Sequence, residues 1–146
     1  MRVLFIAICL AGFAVSWATA GEPVRFTDTE AAKAFEQKRY PKAEKEFLRL
    51  LETNPDNLLI LRYLAMTYDR QGRYTEALKT YLRALKLAPQ NVALLYHSGE
   101  TMYHAHFADA ARRHFLLVQE FAPGTEYAML ARQHLDALTQ QRVARQ

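Results

Sequence analysis

The sequence predicts an all-α fold, three helix–turn–helix units followed by a C-terminal capping helix, and three observations carry that prediction. Pro55, Pro89 and Pro123 stand 34 residues apart, and each closes a short polar turn: Asn54-Pro55-Asp56-Asn57, Pro89-Gln90-Asn91 and Pro123-Gly124-Thr125. A fixed period of this size marks a repeat architecture. Between the turns, apolar residues return at helical spacing. In Leu58–Asn91 the stripe Leu61, Leu64, Ala65, Tyr68 is broken by Gly72 and resumes as Ala77, Tyr81, Ala84, Leu85. No strand candidate survives, because there is neither an Asn-Gly or Asp-Gly hairpin signal nor sustained alternation.

Residues 1–20 read as a secretory leader. Arg2 is the only charged side chain before Glu22, Val3–Val15 is an unbroken apolar run, and Ala18-Thr19-Ala20 supplies the small-x-small pattern of a cleavage site. The competing reading is an uncleaved anchor, but the run falls short of the roughly 20 apolar residues that span hydrocarbon. Cys9, the one cysteine, lies inside the run and not at the cleavage point, which rejects a lipid-modified N-terminus. A mature chain without cysteine must be held together by its core alone.

The helices follow in order. Thr27-Asp28-Thr29-Glu30 fits a capping box with Thr27 as N-cap. The helix it starts carries Ala31, Ala34 and Phe35 on its apolar side and ends near Lys38–Arg39. After Tyr40-Pro41 a second runs to about Glu52, with Ala43, Phe47, Leu50 and Leu51 on one stripe and Pro41 in the first turn, where its missing N–H is no loss. Leu58–Gln71 and Thr75–Leu87 flank Gly72, which supplies the left-handed residue that ends a helix. Val92–Ala105 and Ala108–Phe121 make the third pair. A last helix, Glu126 to about Gln141, has one greasy face (Tyr127, Leu130, Ala131, His134, Leu135, Leu138) and one polar face, as a terminal repeat element requires. The repeats therefore span about 24–57, 58–91 and 92–125 of a domain covering residues 21–142, the cap about 126–141, and residues 143–146 form a frayed tail.

The formal net charge of +4 is interspersed, as in Lys42, Glu44, Lys45, Glu46. Such mixing describes solvated helix faces and excludes a nucleic-acid stripe. No Gly-rich phosphate loop, His-Glu-x-x-His or Gly-x-Ser-x-Gly is present, which leaves no support for an enzyme.

These residues resemble the tetratricopeptide repeat (TPR) family, whose motif sets large-small-aromatic spacing on a first helix and Ala, aromatic, Ala, Pro on a second. The second repeat matches at Leu61, Leu64, Ala65, Tyr68, Gly72, Tyr74, Ala77, Tyr81, Ala84 and Pro89. The first keeps Ala31, Tyr40, Ala43, Phe47 and Pro55 but has Lys38 at the glycine; the third keeps Gly99, Ala111, Phe115 and Pro123. Phe107 falls one place before the aromatic position, which predicts a shortened or reshaped turn at His104–Ala108. The resemblance implies a right-handed superhelical stack of three TPR units in which the first helices line a concave groove.

Removing core positions leaves the groove residues: Arg62, Tyr63, Met66 and Arg70 with Leu59 and Asp69; Tyr96, His97, Glu100, Tyr103 and His104; and Phe35 with Asp28, Ala32 and Glu36. Tyrosines and arginines of this kind anchor interfaces, so the expected partner is a peptide or envelope protein, with Arg62 and Arg70 taking a carboxylate. Family members that bind the tails of cytosolic chaperones use Lys, Asn and Arg at positions that read here Asp28, Ala32, Tyr63, Ala93 and His97, so that clamp is absent. His97, Glu100 and His104 share one helix face, but the two histidines stand two turns, about 10 Å, apart. No metal site, cofactor or nucleic acid is called for, and a groove that takes anionic envelope polymer or a metal ion through its Arg and His side chains is the alternative. The expectation is a periplasmic or secreted adaptor, free of the membrane once its leader is cleaved, with open repeat ends that allow self-association.

Overall fold

The computed structural model describes Phe26 and residues 29–144; residues 1–25, the expected leader among them, Thr27, Asp28 and the last two residues lie outside the described part. Seven helices follow one another in it: α1 (Glu30–Glu36), α2 (Tyr40–Thr53), α3 (Leu58–Arg70), α4 (Tyr74–Leu87), α5 (Val92–His104), α6 (Ala108–Phe121) and α7 (Glu126–Val143). The pairs α1/α2, α3/α4 and α5/α6 pack as hairpins, and each second helix also packs on the first helix of the next pair. None of the helices among the described residues is long and apolar enough to cross a membrane.

The period is written into the helix ends. Asn57 accepts from the N–H of Leu59 and Ile60, Asn91 from Leu94 and Thr125 from Ala128, so the last residue of each proline turn caps the helix that follows. The first helices end in one repeated closure. Arg39, Arg73 and Phe107 donate their N–H to Ala34, Tyr68 and Met102, while Lys38, Gly72 and His106 donate to Phe35, Asp69 and Tyr103. That pair of bonds needs a left-handed residue between them, and Lys38 (φ 58°), Gly72 (φ 73°) and His106 (φ 63°) all adopt it.

Four expectations change here. The turn before Ala108 is neither shortened nor reshaped, since Phe107 (φ −87°, ψ 64°) repeats the backbone of Arg73 (φ −88°, ψ 63°). The first helix begins later than the capping box predicts: Thr29 is its N-cap, accepting from Ala32, and Glu30 is its first residue rather than the third. It also stops at Glu36, and α7 continues to Val143, beyond Gln141.

The core follows the same register. Ala43, Ala77 and Ala111 are fully enclosed, as are Phe47, Tyr81 and Phe115, each one turn further along a second helix. Small residues let the paired helices approach, and the rings then fill the space between pairs. Gly99 stands where Ala31 and Ala65 stand in the earlier repeats, because a Cβ there would lie 2.8 Å from the Phe115 ring. Buried Thr67 and Thr101 return their hydroxyls to the carbonyls of Tyr63 and His97 one turn back, so neither leaves a polar atom unpaired.

Candidate functional site

Along one side of the stack, α3 touches α5 and α5 touches α7. On α3, Arg62 lies against its neighbour Tyr63, with the guanidinium 5.4 Å from the ring centroid. Its Nε is enclosed yet has no hydrogen-bond partner among the described residues. Around it Leu58, Leu59, Asn91 and Leu94 line a recess of about 180 Å³. Met66 is half-buried against the first core cluster. Arg70 projects into solvent and only grazes Asp69, at 3.9 Å.

Tyr63 is a packing residue as much as a surface one. Its ring sits 4.6 Å from Phe26, 5.3 Å from Phe35 in an edge-on contact and 6.0 Å from Phe47. Phe35 is held the same way, with Tyr40 at 5.9 Å. Ala32 is buried, so it offers no groove surface, and Asp28 lies outside the described residues.

Tyr96 departs from the expectation of an exposed anchor: it is only 5% exposed. Phe115, Tyr127 and His134 surround its ring at 6.0, 5.3 and 6.0 Å. The cause is α7, which lies over this part of α5 and brings Tyr127 and His134 with it. Burial, then the Glu100 carboxylate beside it, pushes the Tyr96 hydroxyl well above its ordinary pKa, so it stays protonated and donates to Glu100 Oε1 at 3.0 Å.

Glu100 is the centre of a polar cluster. Besides Tyr96 it meets His97 Nδ1 at 2.9 Å and His134 Nε2 at 3.8 Å. Burial alone would raise its carboxyl; the bonds and charge of His97, with the Tyr96 hydroxyl, outweigh it and hold the group below the usual carboxylate range. His134 moves down chiefly because it is buried, with the Glu100 charge opposing.

His104 belongs to a different neighbourhood from His97. Its Nδ1 lies 3.2 Å from Asp69 across the helix–helix contact. Tyr103 takes a hydrogen bond from Gln141 Nε2 at 3.0 Å and lies edge-on to His134. The helical spacing of His97, Glu100 and His104 thus brings the first two together and leaves the third apart. Among the described residues no group of three or more His, Cys, Asp or Glu side chains is placed to hold a metal ion.

Three contributors, Tyr127, His134 and Gln141, come from the helix expected to be a plain cap. The signal for them is the period itself: Glu126 follows Val92 by 34 residues, as Val92 follows Leu58. Helix α7 therefore occupies the first-helix slot of a fourth, unpaired unit. In that register His134 corresponds to Glu100 and Met66, two of the positions expected to face the groove.

Residues 29–92 match the tetratricopeptide repeat family model. No curated protein matches the chain by sequence. Among solved structures, the Yersinia enterocolitica type III secretion chaperone SycD, in complex with a peptide of the translocator YopD, superposes with a TM-score of 0.71 at 17% identity, over 77% of this chain and 88% of that one. The second TPR domain of human RPAP3, in complex with an HSP70 peptide, does so with a TM-score of 0.67 at 21% identity, over 75% of this chain and 88% of its own. These identities establish a shared fold. Residues 29–92 thus match the tetratricopeptide repeat in sequence, and the same repeat register continues through the helices from α1 to α7.

Proposed function

We propose that this protein is an exported, non-catalytic adaptor whose concave face holds a peptide segment of a partner protein. The observation that carries the reading is Arg62. A guanidinium makes five N–H donors available and has no acceptor capacity of its own, and burying its Nε with no partner among the described residues costs free energy that a ligand oxygen would recover. Arg70, Met66 and Tyr63 extend the same surface along α3. In two structural neighbours with this fold, SycD and the second RPAP3 domain, a peptide is the bound partner, which favours an extended chain segment over a small molecule. The leader reading adds the compartment: cleavage after Ala20 places the adaptor in the periplasm or outside the cell.

Two measurements test this. Intact mass of the protein recovered from the envelope fraction is expected to correspond to a chain starting at Gly21; the full-length mass would overturn the export reading. Immobilised protein exposed to envelope extract is expected to retain a partner that is lost in the Arg62→Glu/Arg70→Glu variant. Neither residue belongs to the apolar core clusters, and helical circular dichroism checks that the variant keeps the fold. Equal retention by the folded variant contradicts the groove assignment.

A further inference from the structure

We propose that the hollow where the His106 turn meets the end of α7 is a socket for an aromatic side chain of the bound peptide. This rests on the reading of the concave face as the partner surface. The hollow, about 330 Å³, is lined by Tyr74, Tyr103, His104, Ala108, Leu138 and Gln141, with His106 at the turn. Its size falls at the lower end of the range of roughly 300–1,000 Å³ for ligand pockets, suited to a single side chain.

The repeat explains why the hollow exists. The first residue of each second helix is Tyr40 in α2, Tyr74 in α4 and Ala108 in α6. Tyr40 lays its ring 5.9 Å from Phe35, and Tyr74 lies 6.3 Å from His104 of the next unit. Advancing the pair Tyr74/His104 by one period gives Ala108/Leu138, and both line the hollow. The space is where the third unit lacks the ring that its predecessors carry. Phe107, one place earlier, does not supply it: it takes the backbone of Arg73 and stands 57% exposed.

The walls suit an incoming ring. Tyr74, Tyr103 and His104 offer faces and edges for offset and edge-on contacts, and Leu138 forms an apolar floor that is itself buried. The wall is also held in place. Asp69 fixes the His104 imidazole at 3.2 Å, and Gln141 donates to the Tyr103 hydroxyl at 3.0 Å. Gln141 is available because α7, at 18 residues, runs past the point where the 13-residue α3 and α5 stop. No carboxylate among the described residues lines the hollow, so its described lining does not select a cation over a neutral ring.

The test uses N-acetyl-tyrosinamide as the probe, followed by amide chemical shifts of the purified protein. Saturable shifts are expected at Tyr103, His104, Leu138 and Gln141, with none from N-acetyl-alaninamide. Ala108→Tyr, which restores the missing ring, is expected to abolish those shifts and to raise Tm by a few degrees. Ala108→Leu gives the same block with a smaller filler if the tyrosine variant does not fold. Shifts centred on another face, or unchanged in the filled variants, overturn the socket. Peptides selected from a random library on the unmodified protein then separate this proposal from the groove reading. If Arg62→Glu abolishes their binding and Ala108→Tyr leaves it intact, the socket fails and the groove stands. If the probe result holds but no selected peptide responds to Arg62→Glu or Arg70→Glu, the groove fails and the socket stands.

Discussion

Gly99 carries no side chain because the Phe115 ring occupies the place where one would stand. Phe115 cannot give way easily, since it is fully enclosed and stacks on His134 with centroids 4.7 Å apart and planes 4° from parallel. Gly99→Ala is therefore expected to destabilise the fold. Overpacking costs about 1–3 kcal/mol, while better helix propensity returns at most about 1 kcal/mol, and urea unfolding reads the difference. Glycine at this point is a packing requirement, whereas elsewhere in a helix it would only weaken it. A second residue-scale expectation concerns His114, whose Nδ1 meets the buried Ser98 hydroxyl at 2.7 Å. Burial lowers its pKa, the Leu95 carbonyl opposes in part, and the nearby Arg113 charge adds to the lowering. A histidine held neutral in the fold binds its proton first in the unfolded chain. Its contribution to stability is thus complete above the ordinary value of about 6.5 and declines as pH falls from there toward the lowered folded value. Tm is expected to drop between pH 7.5 and 5.5, with a shallower drop in His114→Gln. An identical pH profile in that variant would remove His114 from the account.

At the scale of the element, one closure is made three times with three different residues. Gly72 adopts φ 73° with no atom within 4 Å of the place a Cβ would take, so any penalty for replacing it is the backbone's alone. A left-handed conformation costs a residue with a side chain roughly 1–2 kcal/mol, and Lys38 and His106 bear that cost in their turns. Lys38→Gly is expected to stabilise the first turn by up to about 1 kcal/mol, and Gly72→Ala to destabilise the second by about the same, the unfolded-chain entropy offsetting part of each. Chemical denaturation of both variants checks the opposite signs. The prolines, Gly72 and the capping asparagines make these elements legible in the sequence, and the bounds of α2 to α7 follow from them to within two residues. The Phe107 turn departs from its expectation because hydrogen bonds from Phe107 and His106 dictate its backbone, whatever side chains stand there. The late start of α1 is not legible because Thr27 and Thr29 offer the same capping chemistry, and local pattern does not choose between them.

For the whole molecule, helical periodicity says which side of a helix a residue occupies but not which helix will cover it. Arg62 and Tyr96 hold the same register position, yet Arg62 stays partly open while Tyr96 is enclosed. The difference lies one unit further on. Tyr127 stands beside Tyr96 at 5.3 Å, and the residue at the corresponding place for Arg62 is Ala93, whose methyl group covers little. The open part of the proposed concave face is therefore concentrated on α3 and at the end of α5, where Arg62, Met66, Arg70, Tyr103 and His104 lie, and the Tyr96–Glu100–His134 cluster closes off the rest. The opposite face has exposed apolar side chains of its own, Leu82 at 53% and Leu116 at 52%, one period apart on α4 and α6. A single experiment places the partner on one face or the other: a photoreactive benzoyl-phenylalanine introduced singly at Met66, Arg70, Leu82 or Leu116 and irradiated in intact cells. The concave-face account predicts a partner adduct from positions 66 and 70 and none from 82 and 116. Adducts from the α4 and α6 positions, with none from α3, would contradict it.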